Sequence, residues 1–410
     1  MPKILIVDYL TGGGFAEEEF PTDQLAEGYA LLRAEIEDFA MAGYTISTLI
    51  DQRLMEHIRI SPIHEFQSVA SHEDFINGLN EFADKVDYIL PIAPESKGIL
   101  KDLSTMLQNS DSEYLGSSPE GVELAQDKLR TLELAQELGL NVPATLDFKY
   151  DIPYDQIVSK IDFLGYPLII KPNDSAGCQG LTKITSEDEL QYSFKAAHAV
   201  SNSEKVLVQE FIKGTPISTS LIANEENVLP ISINRQNLRL LSKQQSGNYV
   251  GGEVPFSVQE HNKEVLNVSQ TLVEQMGLKG FVGVDFIVNK NEIFIMEVNP
   301  RVTVPFVAIN NISNKRIADT LIPFIEGDLS PPKLNLNRFA SFSKIAVPSS
   351  IFSKNRFEKI ALIDGVQTPP FPIGNGTLSH AFLIGLGSSI TSARKSYQQV
   401  KNEVLKILSS

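Results

Sequence analysis

Apolar positions along this chain follow two different periods. Ile4 to Val7 is an unbroken apolar run of strand length. From Thr22 or Asp23 to about Met41, the residues Leu25, Tyr29, Leu32, Ile36 and Phe39 keep a three-to-four spacing, which predicts a helix ended by Gly43. Thr45–Leu49 returns to a strand pattern, and Val86–Leu90 predicts another strand closed by Pro91. Strand–helix alternation of this kind points to a parallel sheet.

Near residue 117 the pattern changes. Ser118-Pro119 reads as a cap followed by Pro at the first helical position, and Asp127 as the cap of a second helix running to Leu138. From there hairpin-like strands dominate: Leu168–Ile170, Leu181–Ile184, Val206–Glu210, Ser218–Ile222, Asp285–Val288 and Ile293–Glu297. A helix at about Lys263–Met276 interrupts them. Pro331-Pro332 marks a boundary before a smaller unit that ends in a helix near Ser392–Leu408. The expected organisation is α/β in three parts, residues 1–116, 117–330 and 331–410.

Composition narrows the function classes. The 410 residues carry 35 Lys and Arg against 51 Asp and Glu, a net charge of −16, which argues against a general nucleic-acid binder. One cysteine, Cys178, excludes an intrachain disulfide and a Cys-rich zinc site. The six histidines lack metal-ligand spacing. No apolar run approaches the roughly 20 residues of a membrane-spanning helix, and the first residues read as a buried strand, so a cytoplasmic protein is expected.

Three segments carry candidate chemistry. In YPLIIKPNDSAGCQGLTKI (Tyr166–Ile184), an apolar strand ends at Lys171 and a loop of small residues follows, including Ser175, Gly177 and Gly180. Small residues let backbone amides approach an anion, and the lysine adds a point charge for phosphate; a hairpin tip with a snorkelling lysine fits the same segment. In GFVGVDFIVNKNEIFIMEVNPR (Gly280–Arg301), two strands joined at Asn289–Asn291 bring Asp285 opposite Glu297 and Asn299, which share a face. Three oxygen donors there suit Mg²⁺, and Arg301 is placed to meet a phosphoryl group. VLVQEFIKG (Val206–Gly214) can offer backbone groups and apolar walls to a purine. Cys178 reads as a small loop filler, and Arg235 as either a substrate contact or a surface strand residue.

In this order and spacing the segments resemble the ATP-grasp superfamily from about Ser117 to Leu329. The resemblance implies that Lys128 and Lys171 contact phosphates, with Ser175, Gly177 and Gly180 in the loop that folds over them. It also implies that Gln209, Glu210 and Ile212 hold adenine, that Asp285, Glu297 and Asn299 hold two Mg²⁺ (Mn²⁺ being the alternative ion), and that Arg301 steadies an acyl phosphate. DYLTGGGF (Asp8–Phe15), LAEGYALLRAEIEDFAMAGY (Leu25–Tyr44), TLIDQRL (Thr48–Leu54) and LPIAPESKGIL (Leu90–Leu100) are similar to the tyramine–glutamate ligase group, which implies that the first loop, with Gly13, borders the acceptor substrate. The tail Val366–Tyr397 is similar to the C-terminal lobe of biotin-carboxylase-like members.

The expected function is therefore ATP-dependent ligation of a carboxylate to an amine through an acyl phosphate, with Arg301 and Lys171 acting in catalysis. ATP and the two small-molecule substrates are the expected partners, and a homodimer is the candidate assembly. The alternatives are another ATP-grasp reaction, such as carboxylation or ligation to another nucleophile, and a non-catalytic ATP-binding regulator.

Overall fold

The structure, a computed structural model, describes residues 1–240, 247–351, 353–373 and 377–409. Part of the tail segment noted above, residues 374–376, thus lies outside the described residues. The alternating first third folds into strands β1 (Lys3–Asp8), β2 (Thr45–Asp51), β3 (Glu65–Val69), β4 (Tyr88–Ile92) and β5 (Glu113–Tyr114), with helices α1 (Thr22–Met41), α2 (His72–Ala83) and α3 (Ile99–Leu107). All pairings are parallel, in the order β3-β2-β1-β4-β5.

Helices α4 (Pro119–Gln126) and α5 (Lys128–Glu137) lead into a four-stranded antiparallel sheet. It is built from β6 (Thr145–Lys149), β7 (Leu168–Pro172), β8 (Thr182–Ile184) and β9 (Lys205–Glu210), in the order β6-β9-β7-β8, with α6 (Tyr154–Ile161) and α7 (Leu190–His198) between its strands.

The third sheet has eight strands. They are β10 (Thr215–Ala223), β11 (Val228–Arg239), β12 (Asn248–Val254), β13 (Gly280–Val288), β14 (Ile293–Asn299), β15 (Phe339–Pro348), β16 (Val366–Thr368) and β17 (Leu378–Gly387). Helices α8 (Asn262–Gln275), α9 (Pro305–Ile312), α10 (Ala318–Ile325), α11 (Lys354–Ala361) and α12 (Ile390–Ser409) complete the chain. The strand order is β14-β13-β10-β11-β12-β15-β17-β16, so residues beyond Pro331-Pro332 continue the sheet that carries Asp285 and Glu297. Among the described residues no helix is long and apolar enough to cross a membrane.

One strand differs from expectation. β4 does not stop at Pro91 but runs through it to Ile92. The carbonyls of Asp87 and Ile89 accept from Glu113 and Leu115 on the β5 side, whereas that of Ile92 accepts from Tyr9 on the β1 side. By alternation Pro91 faces past the end of the two-residue β5, where its missing N–H leaves no ladder bond unmade. Among the elements not anticipated are β3 and α2, although Ser71 and Asp74 form a reciprocal capping box at the start of α2.

Helix α1 fixes where the layers meet. Leu25, Tyr29, Leu32, Ile36 and Phe39 are buried in one cluster with residues of β1, α9, α10 and β17. The same helix buries two acids. Asp38 accepts the Ile317 and Ala318 amides at 3.1 and 2.8 Å, tying down the start of α10, and Glu35 accepts from Asn310 Nδ2 at 3.3 Å. Burial pushes the Glu35 carboxyl well above its usual range, and the nearby Asp38 adds to the rise. Burial likewise raises Asp38 to about 6 against the pull of those amides.

A carboxyl whose pKa is higher folded than unfolded binds its proton better in the native state. Stability is then lost as pH rises from about 4 through the folded pKa. Glu35→Gln keeps an acceptor for Asn310 and removes the charge. Denaturation midpoints should nearly coincide at pH 4 and favour the variant by about 1 kcal/mol or more at pH 8. Parallel pH profiles for the two proteins would show that Glu35 is not the cause.

Candidate active site

The four-stranded and eight-stranded sheets face each other across a cleft whose charged groups come from both. Lys128 opens α5, immediately after the cap residue Asp127, whose Oδ1 accepts the Arg130 amide at 3.0 Å. Asn173, just past β7, donates to the same Asp127 oxygen at 2.9 Å and accepts the Leu129 amide at 2.9 Å. This lock sets Lys128 beside the loop after β7. Its Nζ donates to the Ser175 carbonyl and lies 3.4 Å from Glu297 Oε2.

Lys171 enters the cleft from the apolar strand β7. It is 4% exposed, and its nearest acceptor is the Met296 carbonyl at 3.5 Å. Burial lowers its pKa to about 8, opposed by Glu297 and assisted by the positive Lys128. A cation held so deep with one long hydrogen bond is set for an anion that would complete its donors.

Across the cleft, Asp285 and Glu297 are register partners on β13 and β14, and Asn299 pairs with Gly283 two residues along. Ser218 on β10 lies opposite Asp285 in the register. Asp285 lines the cleft with Glu297, Asn299 and Gln236, and it is raised well above the usual carboxylate range by desolvation and by the Glu297 charge. Desolvation acts on Glu297 too, but Lys128 and Lys171 hold it below its ordinary value. Mutual repulsion thus disfavours charging both carboxyls together, and a divalent cation would relieve it. Among the described residues no group of three His, Cys, Asp or Glu side chains is placed to hold a metal. Two carboxylates and an amide are an all-oxygen set that suits a hard cation sharing its shell with phosphate.

Arg301 follows β14 and reaches the end of the first sheet, where its Nε donates to Glu95 Oε2 at 2.8 Å. The loop over the cleft turns through left-handed backbone at Gly177, Cys178 and Gly180. Asp174 anchors its base by accepting from Ser201 and from the Asn202 and Ser203 amides at 2.9 and 3.1 Å. Desolvation and the Glu297 and Asp285 charges push the Cys178 thiol up to about 12, which removes it as a nucleophile and agrees with a filler role.

At the inner end, Gln209, Glu210, Phe211 and Ile212 line the cleft with Ile169, Leu181 and Met296. Gln209 donates to Thr145 Oγ1 at 2.8 Å, and Glu210 Oε1 accepts the Ala144 amide at 2.8 Å, so both side chains bind β6 and its approach. The Glu210 amide also donates to the Ala144 carbonyl, so Phe211 and Ile212, just beyond β9, are the segment's positions outside the ladder.

Three expected site residues stand elsewhere. Gly180 does not line the cleft, and a Cβ there would lie 2.7 Å from Val200 and 3.1 Å from the Ala197 backbone, so the glycine serves packing against α7. Gly13 is buried against Val69, 2.3 Å from any added Cβ, rather than facing substrate. Arg235 lies outside the cleft, 3.8 Å from Glu253, which also grips Arg394 at 2.6 and 2.8 Å. Strand parity explains this: Gln236, one residue on, faces the cleft instead.

Several lining residues escaped the sequence reading. Ser218 had a detectable signal, since it shares the parity of Asp285 once β10 is recognised as the neighbour of β13. Glu95 and the pair Glu27–Lys344, at 2.6 Å, join segments over 200 residues apart and have no local signal. The half-buried Tyr249 on β12, whose hydroxyl has no hydrogen-bond partner among the described residues, likewise lines the cleft unannounced.

Comparison with known proteins places this geometry in context. Residues 125–305 match the family model of an ATP-grasp domain, and residues 44–122 that of a pre-ATP-grasp domain. The tyramine–L-glutamate ligase of Methanocaldococcus jannaschii is 27% identical over 322 residues, covering 78% of this chain and 88% of that protein. Biotin carboxylase from Campylobacter jejuni superposes with a TM-score of 0.71 at 15% identity, over 100% of this chain and 95% of that one. An ATP-grasp superfamily protein from Archaeoglobus fulgidus gives a TM-score of 0.61 at 20% identity, over 93% of this chain and 99% of that one. At such identities the two structures show a shared fold.

Two substitutions probe the cleft. Glu297→Gln removes the charge that faces both lysines and should reduce turnover at least 100-fold with an unchanged melting temperature; near-normal rates at saturating Mg²⁺ would argue against a metal role. Lys171→Ala should raise the Michaelis constant for ATP and lower kcat together, costing tenfold or more in kcat/KM, because the same group meets the nucleotide before and during transfer. An unchanged ATP dependence would leave Lys171 a structural residue.

Proposed function

We propose that this chain, a member of the ATP-grasp superfamily, is an ATP-dependent carboxylate–amine ligase that makes an amide through an acyl phosphate. The observation that carries the reading is the convergence of Lys128, Lys171, Asp285, Glu297, Asn299 and Arg301 on one cleft from two facing sheets. A protein that only sensed nucleotide would need the lysines and an adenine pocket, and would have no use for Arg301 at the far end.

Adenine lies against the 209–212 backbone between Ile169, Leu181 and Met296. Lys128 and Lys171 neutralise the phosphates, and the Gly177 segment covers them with backbone amides. Asp285, Glu297 and Asn299 hold the cations, for which two Mg²⁺ are the natural number on a triphosphate. When bound, these ions offset charge on the phosphate oxygens and align them for in-line attack.

A substrate carboxylate oxygen then attacks the γ-phosphorus, the bond to the β-phosphate oxygen breaks, and ADP leaves. Arg301, oriented by Glu95, meets the charge of the acyl phosphate and of the tetrahedral adduct that follows. A neutral amine nitrogen attacks the acyl carbon, the carbon–oxygen bond to phosphate breaks, the nitrogen gives up one proton, and an amide and hydrogen phosphate remain. The match to tyramine–L-glutamate ligase over 88% of that protein makes glutamate and tyramine the first pair to try.

Purified protein with ATP, Mg²⁺ and a panel of amino acids, with and without amines, is expected to release ADP only with its acid present, and to yield an amide once the amine is added. ADP release independent of any carboxylate would overturn the ligase class. Bicarbonate-dependent release with a carboxylated product would favour the carboxylase alternative. Absence of glutamyl-tyramine alone refutes the substrate pair and leaves the class standing.

A further inference from the structure

The parallel sheet has its topological switch between β1 and β4, since the chain proceeds from β1 to β2 on one side and later returns to β4 on the other. In open sheets of this kind ligands enter the crevice beyond the carboxyl ends of the strands at the switch. Such a crevice is present here. It is bounded by Asp8 and Leu10 after β1 and by Ile92, Ala93 and Pro94 at the end of β4, and it shares Glu27, Gly177, Arg301 and Val304 with the cleft already described.

Its charges are unevenly matched. Lys344 is held by Glu27 at 2.6 Å and Arg301 by Glu95 at 2.8 Å, so each basic group already has an acid. Asp8 has no cation. It is 0% exposed, and Thr11 donates to Oδ2 through both its amide and its hydroxyl at 2.8 Å. The other oxygen, Oδ1, is buried with no hydrogen-bond partner. Desolvation raises this carboxyl to about 6 against the pull of Thr11 and of the Leu10 amide, so it is predominantly ionised at neutral pH. The glycine at position 28 of α1 makes room for it, because a Cβ there would stand 2.7 and 2.8 Å from the two oxygens. A buried carboxylate with one free oxygen costs several kcal/mol unless a donor completes it.

We propose that in this crevice Asp8 Oδ1 receives the ammonium group of a primary amine with an apolar body and takes one of its protons, which frees the nitrogen lone pair to attack the acyl carbon. The inference rests on the ligase reading and names its second substrate by chemistry. Asp8 supplies the charge and Thr11 orients it, while Leu10, Leu31, Ile92 and Val304 face the hydrocarbon part. Arg301, shared with the phosphate cleft, marks the side on which the acyl group arrives.

The test is calorimetric titration of the full chain, with Mg²⁺ and a non-hydrolysable ATP analogue, using tyramine, phenethylamine and isoamylamine beside the alcohols that replace each amino group by hydroxyl. At least one amine is expected to bind tenfold or more tightly than its alcohol. Asp8→Asn should erase that preference, with the thermal melt as the check of folding. Gly28→Ala, which crowds the carboxylate, should weaken it in the same direction. Equal affinity for every amine–alcohol pair, or a preference that survives Asp8→Asn, would overturn the assignment. Hydroxylamine, uncharged at neutral pH, tests the underlying reading separately. Wild-type protein with ATP and its acid should yield a hydroxamate, and its absence would strike the acyl phosphate rather than the ammonium site.

Discussion

The structure depends on one electrostatic balance: two lysines and two carboxylates sharing a cleft. Lys171, almost fully buried, is destabilised as a cation by desolvation and by Lys128, and Glu297 offsets part of that cost. Asp285, beside Glu297, is driven towards its protonated form by the same crowding. Neither half is comfortable alone. A polyanion adds acceptors for the lysines and a divalent cation relieves the acids, so binding both removes two unfavourable terms at once. The arrangement is tense when empty and balanced when filled with opposite charges.

Geometry follows from that balance. The lysines must come from one sheet and its leading helix, and the acids from another, because a single small sheet has no face that could bury four charges and still keep a core. The Asp127–Asn173 lock sets the first lysine, and register pairing of β13 with β14 sets the acids. The first sheet is then tied on by Arg301–Glu95 and by α1, whose buried stripe contacts both the parallel sheet and α9. Buried acids on α1 are tolerated there because Asp38 satisfies the amides at the start of α10.

This division explains what was legible in the sequence. Lys171, Asp285, Glu297, Asn299 and Arg301 stand in short segments where an apolar strand delivers a charge at a fixed parity, and all line the cleft. Helix α1 was readable because its spacing persists from Leu25 to Phe39, about four turns. The parity argument then failed at Arg235, where neither β11 nor β12 had been recognised, so the facing side was unknown. Gly180 and Gly13 failed for a different reason. A glycine in a loop signals a steric demand, and sequence does not say whether a ligand or a neighbouring side chain makes it; here Val200 and Val69 do. Pro91 misled because its cost depends on whether a neighbouring strand extends past it, which is a tertiary fact.

The two halves of the candidate reaction are therefore written differently in the chain. The nucleotide half sits on contiguous hairpins, where side-chain identity and strand period suffice. The acceptor half is assembled from the ends of β1 and β4, one turn of α1, and single residues such as Glu95 and Lys344 that arrive from far away in sequence. A hairpin can be kept intact while distant contributors change one at a time, since each touches the crevice independently. The phosphate half is consequently legible in local sequence, whereas the crevice proposed for the amine is shaped by long-range contacts that leave only faint marks on any local stretch.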